Sequence, residues 1–259
     1  MPRMAPQRSA AYRRVVKSAV RRLEELGDSL NPGPQVLPEM VAPWSLLQRA
    51  RSLMNAILWL LDGPSDAAVH IVARSLVDLA ITVAWLRLDP DTHARLWSAE
   101  QWRRELELLP DLERRMGQLD DQESLRVLEM KRSVVNRART LALGKRVVGV
   151  GKRGSLMPNL KDRADAVGTD ATRDAYELLF TAWSEWGHTG AGSLSVDSDG
   201  TRVIFDDGPP RNALQACSMA CAVYAYVLAE LSRWIGLGIE GECDELREGL
   251  VRAEPRGDL

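Results

Sequence analysis

Along most of this chain apolar residues recur at three- and four-residue steps, the period that places them on one face of an α-helix. Residues 6–27 carry the first stripe, through Tyr12, Val15, Val16, Ala19, Val20 and Leu23, with Arg8, Arg13, Arg14, Lys17, Arg21 and Arg22 opposite. Asn31-Pro32-Gly33-Pro34 and Pro38 end it and make a linker, because Pro lacks the amide proton that a helix interior needs. Pro43 opens a second helix that reaches Asp62. Gly63-Pro64 ends that one, and Pro64, Ser65 and Asp66 start a third, running to about Leu88. Asp89-Pro90-Asp91 restarts the chain into helical residues 91–108, Pro110 restarts that segment, and residues 121–143 form a long charged helix.

Pro158 opens a short helix to about Val167, which Gly168 ends, and Thr169 with Asp170 caps the next. Gly187 and Gly190 mark the end of that helix. One stretch departs from the helical period: residues 193–196 and 201–205 flank Asp197-Ser198-Asp199-Gly200, a hairpin signal. Pro209 and Pro210 begin the last long helix, which is apolar all round and so belongs in the centre of a fold. The pattern predicts an all-α multi-helix bundle with one small β-hairpin near residues 193–205. Its expected organisation is a basic N-terminal helix and Pro/Gly linker (1–42), a bundle domain (43–239), and a short helix with a frayed tail (240–259).

Composition narrows the classes. A chain of 259 residues can bury a sizeable core, and 45% hydrophobic with 27% charged residues and a net charge of −2 describes a soluble globular protein. That balance excludes a disordered chain and gives no overall bias toward nucleic acid. Cys217, Cys221 and Cys243 do not make a disulfide framework. With three His in all, neither a metal site nor another cofactor is expected. No signal peptide is evident, and the longest apolar stretch, 213–229, is interrupted by Gln215 and Ser218 and is shorter than a membrane span. A cytoplasmic location with no membrane partner is therefore expected.

Two stretches carry candidate chemistry. In the third helix Arg74 and Asp78 lie one turn apart among apolar residues, following His70 and leading to Trp85. In the helix after Gly168, Tyr176, Phe180, Ser184 and His188 repeat every fourth position, with Trp183 beside them. A four-residue step drifts only about 40° around a helix, so each set shares a face. A charged pair in such surroundings must be paired or used, because burying an unpaired charge costs several kcal/mol. The bland reading of Arg74 and Asp78 is a salt bridge that fixes helix register. The functional reading has Arg74 binding an anionic group with its planar fork while Asp78 orients it. Ser184 lacks the strained elbow of a hydrolase nucleophile, whereas His188 suits a general acid or base. Tyr176, Ser184, Trp85 and Trp183 would complete a pocket for a small anionic molecule, with Asp78 and His188 as the groups for any reaction.

The sequence around Arg74-Ser75-Leu76-Val77-Asp78, followed by Trp85-Leu86-Arg87-Leu88-Asp89-Pro90, resembles one half of a bacterial domain family of unknown function, number fifty-six seventy-seven. Its other half is a Tyr-x-x-x-aromatic-x-x-x-Ser-x-x-x-His helix, matched here by Tyr176, Phe180, Ser184 and His188. The resemblance covers about residues 45–230, and Asp78 stands where that family usually has Glu, shortening any carboxylate contact. It implies a fold and a site rather than an activity.

A looser likeness to the HEPN helical domains implies a second class, a nucleic-acid-binding or ribonuclease protein of a toxin or defence system. Arg87 and His93 have the spacing of that motif, although Pro90 lies between them. Residues 130–161 supply the basic character, with nine Lys or Arg and no Asp or Glu. Within them Gly149-Val150-Gly151-Lys152-Arg153-Gly154 has the Gly-x-Gly-x-x-Gly spacing of a dinucleotide fingerprint, but it follows a helix rather than a strand. The third class is a structural module whose apolar helices pair with a partner or with a second copy as a homo-oligomer.

Overall fold

The computed structural model of the chain describes residues 6–29, 41–61, 66–116, 122–145, 147, 154–180, 194–196, 203–205 and 211–253. Nearly all of these are helical. In chain order they are α1 (Pro6–Ser29), α2 (Val41–Leu61), α3 (Asp66–Leu88), α4 (Pro90–Met116), α5 (Gln122–Gly144), α6 (Leu160–Val167) and α7 (Asp170–Asp174). A π-helical turn, Ala175–Phe180, continues α7, and α8 (Arg211–Ile235) and α9 (Glu240–Ala253) follow. Two three-residue strands, β1 (Leu194–Val196) and β2 (Val203–Phe205), pair antiparallel with Ser195 opposite Ile204. Residues 197–202 between them lie outside the described residues.

Contacts divide the chain into two compact units, residues 1–84 with 169–259, and residues 85–168. In the first unit α8 is central and packs on α1, α2 and α9. Small side chains make this close approach feasible: Ala216, Cys217, Ala220, Cys221, Ala225 and Ala229 are all buried along it. The two cysteines one turn apart are fully buried free thiols. Burial first, and then the hydrogen bond with Cys217, pushes the Cys221 thiol well above its ordinary range, so it is an inert core group. The helix α1 buries its apolar stripe, Tyr12, Val16, Ala19, Val20, Leu23 and Leu26, while Arg14 and Arg21 stay exposed. Arg22 reaches from it to Glu242 on α9 (2.6 Å), and Arg51 on α2 reaches back to Asp28 (2.6 Å) and to the Glu24 carbonyl (3.2 Å). Ser232 ties the α8–α9 turn, donating to Glu240 (2.6 Å) and accepting from the Ile239 amide (3.2 Å).

Among the described residues two helices, at Ala68–Leu88 and Leu214–Ile235, are long and apolar enough to cross a membrane, so the second exceeds the stretch 213–229 read from the sequence. They are 72% and 78% buried inside the protein.

In the second unit α4 and α5 pack side by side. Asp89 closes the break between α3 and α4: its side chain accepts from the Thr92 amide (3.2 Å), and Pro90 takes the first helical position, where its missing N–H costs nothing. The expected restart at Pro110 does not occur, since α4 continues through it. Proline inside a helix removes one hydrogen bond and crowds the carbonyl four residues back, at about 3 kcal/mol. Pro110 lies on the exposed side of the helix, where the lost bond is met at less cost than in a core. Asn159 caps α6 by accepting from the Asp162 amide (2.9 Å), and Gly168 ends it at φ 73°, a left-handed conformation that suits glycine.

Candidate functional site

The candidate site in the first unit is built from α3 and the π-helical turn. The helix α3 is apolar on nearly every side, with Val69, Ala73, Leu76, Val77, Ala80 and Ile81 buried. Its four-residue series His70, Arg74, Asp78 and Thr82 is the polar exception. His70 and Thr82 are buried, and Arg74 and Asp78 are half-buried. The structure places Tyr176 and Phe180 in the π-helical turn, their rings stacked at 5.6 Å and inclined by 15°. The guanidinium carbon of Arg74 sits 4.5 Å from the centre of the Phe180 ring. π-Helical turns add one residue to a helix and collect at functional sites; here the turn carries both rings.

The expected Arg74–Asp78 ion pair does not form among the described residues. Arg74 precedes the acid by four positions, the less favourable order, because long helical side chains lean toward the N-terminus and Arg74 leans away from Asp78. Asp78 is engaged elsewhere: the Thr82 hydroxyl lies 3.2 Å from its Oδ1 and donates to its backbone carbonyl at 2.7 Å. Arg74 Nε is buried and has no hydrogen-bond partner. A guanidinium with five donors is thus held chiefly through the face of an aromatic ring, an attraction of about 0.5–2 kcal/mol that leaves its fork available.

Trp183, Ser184 and His188 lie outside the described residues. Trp85, expected as a pocket wall, is 2% exposed and stacks on the His93 imidazole, the ring centres 3.9 Å apart and 11° from parallel. His93 Nδ1 donates to the Trp85 carbonyl at 2.7 Å, the only polarity that a carbonyl acceptor allows. Burial lowers the His93 pKa from its ordinary value, against the raising effects of that bond and of Asp89, so the ring is neutral at pH 7. Asp89 is itself lowered, first by the Thr92 hydroxyl and, with smaller effect, by Lys145 at 4.0 Å. The Arg87–His93 spacing therefore belongs to a buried, clamped imidazole.

The second unit also holds a charge cluster that spacing alone does not advertise. Glu100 is 1% exposed and takes Arg103 through two bonds (2.8 and 2.7 Å), Arg104 at 3.2 Å and the Leu156 amide at 2.8 Å. Burial would raise its pKa, but the Arg103 and Leu156 bonds outweigh burial and hold it below the usual carboxylate range. Arg103 also pairs with Glu107. Every oxygen of Glu100 is occupied, so the cluster is a tie between α4 and residue 156. Among the described residues no three His, Cys, Asp or Glu side chains gather as metal ligands would.

Phe180 is the site residue that function-directed reading undervalued. The signal was present in the Tyr-x-x-x-aromatic series, but only the fold shows that the ring faces Arg74.

These features define a helical protein whose half-buried arginine is presented by an aromatic face. The chain belongs to a family of unknown function (DUF5677), whose model matches residues 41–202, from α2 to the segment between β1 and β2. No curated protein and no solved structure matches it. Arg74, Asp78, Tyr176 and Phe180 all fall inside the matched span, whereas α1, α8 and α9 fall outside it.

Proposed function

We propose that the protein binds a small anionic ligand, a carboxylate or phosphate, through Arg74, with Phe180 and Tyr176 forming the wall behind it. The observation that carries this reading is the Arg74 guanidinium, stacked on Phe180 with a buried Nε that no protein acceptor satisfies. A guanidinium fork matches carboxylate and phosphate in two places, and one without a carboxylate partner has its natural counter-charge in a ligand. The aromatic ring fixes the plane of the fork without consuming its donors. Ser184 and His188, which continue the Tyr176–Phe180 series in sequence, are the residues we assign to ligand contact and to acid–base work; that assignment rests on their spacing.

Native mass spectrometry of the purified protein, before and after mild denaturation, reads a co-purified ligand directly. In parallel, inorganic phosphate and a short dicarboxylate are titrated against wild type and Arg74→Met while the melting temperature is followed. The reading predicts a bound mass or an anion-dependent rise in melting temperature that Arg74→Met removes. If wild type carries no bound mass and responds to neither anion, the reading is lost. If Arg74→Met responds as wild type does, Arg74 is not the binding group.

A further inference from the structure

The exposed face of α5 has a charge pattern independent of the Arg74 site. Val135, Ala138 and Ala142 are buried on the inner side of this helix. Counting about 100° per residue, Ser133, Asn136 and Thr140 fall within about 60° of one another along the middle of the outer side. Arg132 and Arg139 follow one edge of that strip, and Arg126 and Arg137 follow the other. Arg126, Arg132, Arg137 and Arg139 are all exposed, and among the described residues no ion pair holds any of them. Arg137 instead donates to the Ser133 hydroxyl at 3.1 Å. An open groove runs along this face, bounded by Arg132 on one side and Arg137 on the other. Glu129 lines its N-terminal end, on the same strip as Ser133, and beyond it the segment from Met130 to Lys161 holds no acidic residue.

Cationic edges on both sides of one helix call for a partner with two anionic walls about a helix diameter apart. The major groove of B-form DNA is about 12 Å wide and admits a helix of about 10–12 Å. Its walls are phosphates, which suit the arginines, and its floor is a row of donors and acceptors, which suits Ser133, Asn136 and Thr140. From Arg132 to Arg139 is about 10.5 Å along the axis, roughly three phosphates at about 3.4 Å of rise each. The A-form groove of duplex RNA is too deep and narrow for side chains to read. Single strands are held by stacking on aromatic residues, and α5 contains none. We infer that the outer face of α5 binds duplex DNA in its major groove, with the four arginines on the phosphate walls and Asn136 facing the base edges.

The test is fluorescence anisotropy of the full chain with a 20-base-pair DNA duplex, the matching RNA duplex, and an Arg132→Gln/Arg139→Gln variant, at salt from 50 to 200 mM. Each neutralised phosphate contributes about −0.9 to the slope of log affinity against log salt, so four contacts predict about a hundredfold loss across that range. The double variant should bind at least tenfold more weakly at low salt, with the slope shallower by about 1.8. Both arginines are exposed, and an unchanged melting curve will show that the variant folds. Absence of DNA binding at 50 mM salt overturns the inference. So does equal affinity for the RNA duplex, which would mark a generic polyanion surface, and so does wild-type affinity in a folded double variant.

Discussion

Two arginines, one in each unit, meet the problem of partial burial in opposite ways. Arg103 is 11% exposed and gives its fork to Glu100 and Glu107, while Glu100 also takes Arg104 and the Leu156 amide. Arg74 leans on the Phe180 ring, and its Nε is buried without an acceptor. The first arrangement is saturated. Its charges answer one another, so a further ligand has nothing to gain by approaching. The second keeps a charge oriented by a ring, with its Nε unanswered. Burial and charge are thus shared by both arginines, and the state of the hydrogen-bond inventory is what separates them.

This contrast predicts that the saturated cluster matters most to stability. Glu100→Ala leaves the Leu156 amide without its acceptor and the 11% exposed Arg103 with Glu107 alone, and breaking a buried pair from one side costs up to about 3–5 kcal/mol. Urea denaturation should show that loss; a change under 1 kcal/mol would mean that the cluster is not holding α4 to residue 156. Next in size is a pH effect at His93. Its folded pKa is depressed, so between that value and its unfolded value of about 6.5 the unfolded chain binds a proton that the folded one does not. Stability from His93 is full above about pH 6.5 and declines as pH falls, by at most about 1.4 kcal/mol per pH unit. Melting temperatures of wild type and His93→Gln between pH 7.5 and 5 should converge as pH falls, and parallel curves would refute the effect. Asp89 and Glu100 have lowered pKa values, so their contributions persist to lower pH and fade only below about 4. The smallest stability effect is expected at Arg74→Met, which keeps the apolar stem and removes the charge; it should change the unfolding free energy by less than about 1.5 kcal/mol. A loss as large as that of Glu100→Ala would place Arg74 among the structural charges and erase the distinction.

Much of the helical framework was legible because its punctuation is chemical. Asp89-Pro90, Gly168 and Thr169 each end or start a helix for a local reason, and the structure uses each as such, while α6, read as opened by Pro158, takes Asn159 as its cap. Pro110 was misread because the rule that proline ends a helix weighs only the lost bond, while an exposed position softens it. The Arg74–Asp78 pair was expected from spacing, but spacing says only that two side chains share a face. Which way each leans, and that Thr82 occupies Asp78, are tertiary and rotameric facts. The Trp85–His93 stack was invisible for a related reason: it joins the ends of two helices across a proline break, where no periodicity applies. The π-helical turn has no sequence signature in a segment that reads as plain α-helix.

That turn has a consequence for how the chain tolerates length changes. A π-helical turn holds one residue more than the α-helix it interrupts. Removing one residue between Tyr176 and Phe180 would restore ordinary winding, so the helix itself should survive the deletion. Phe180 would then stand three α-helical steps after Tyr176, close to the angle and height at which the wider turn now holds it. The ring would therefore stay near Arg74. The segment works as a phase absorber: one residue more or less is taken up by the width of this turn, and the angle between the Tyr176 and Phe180 rings changes little.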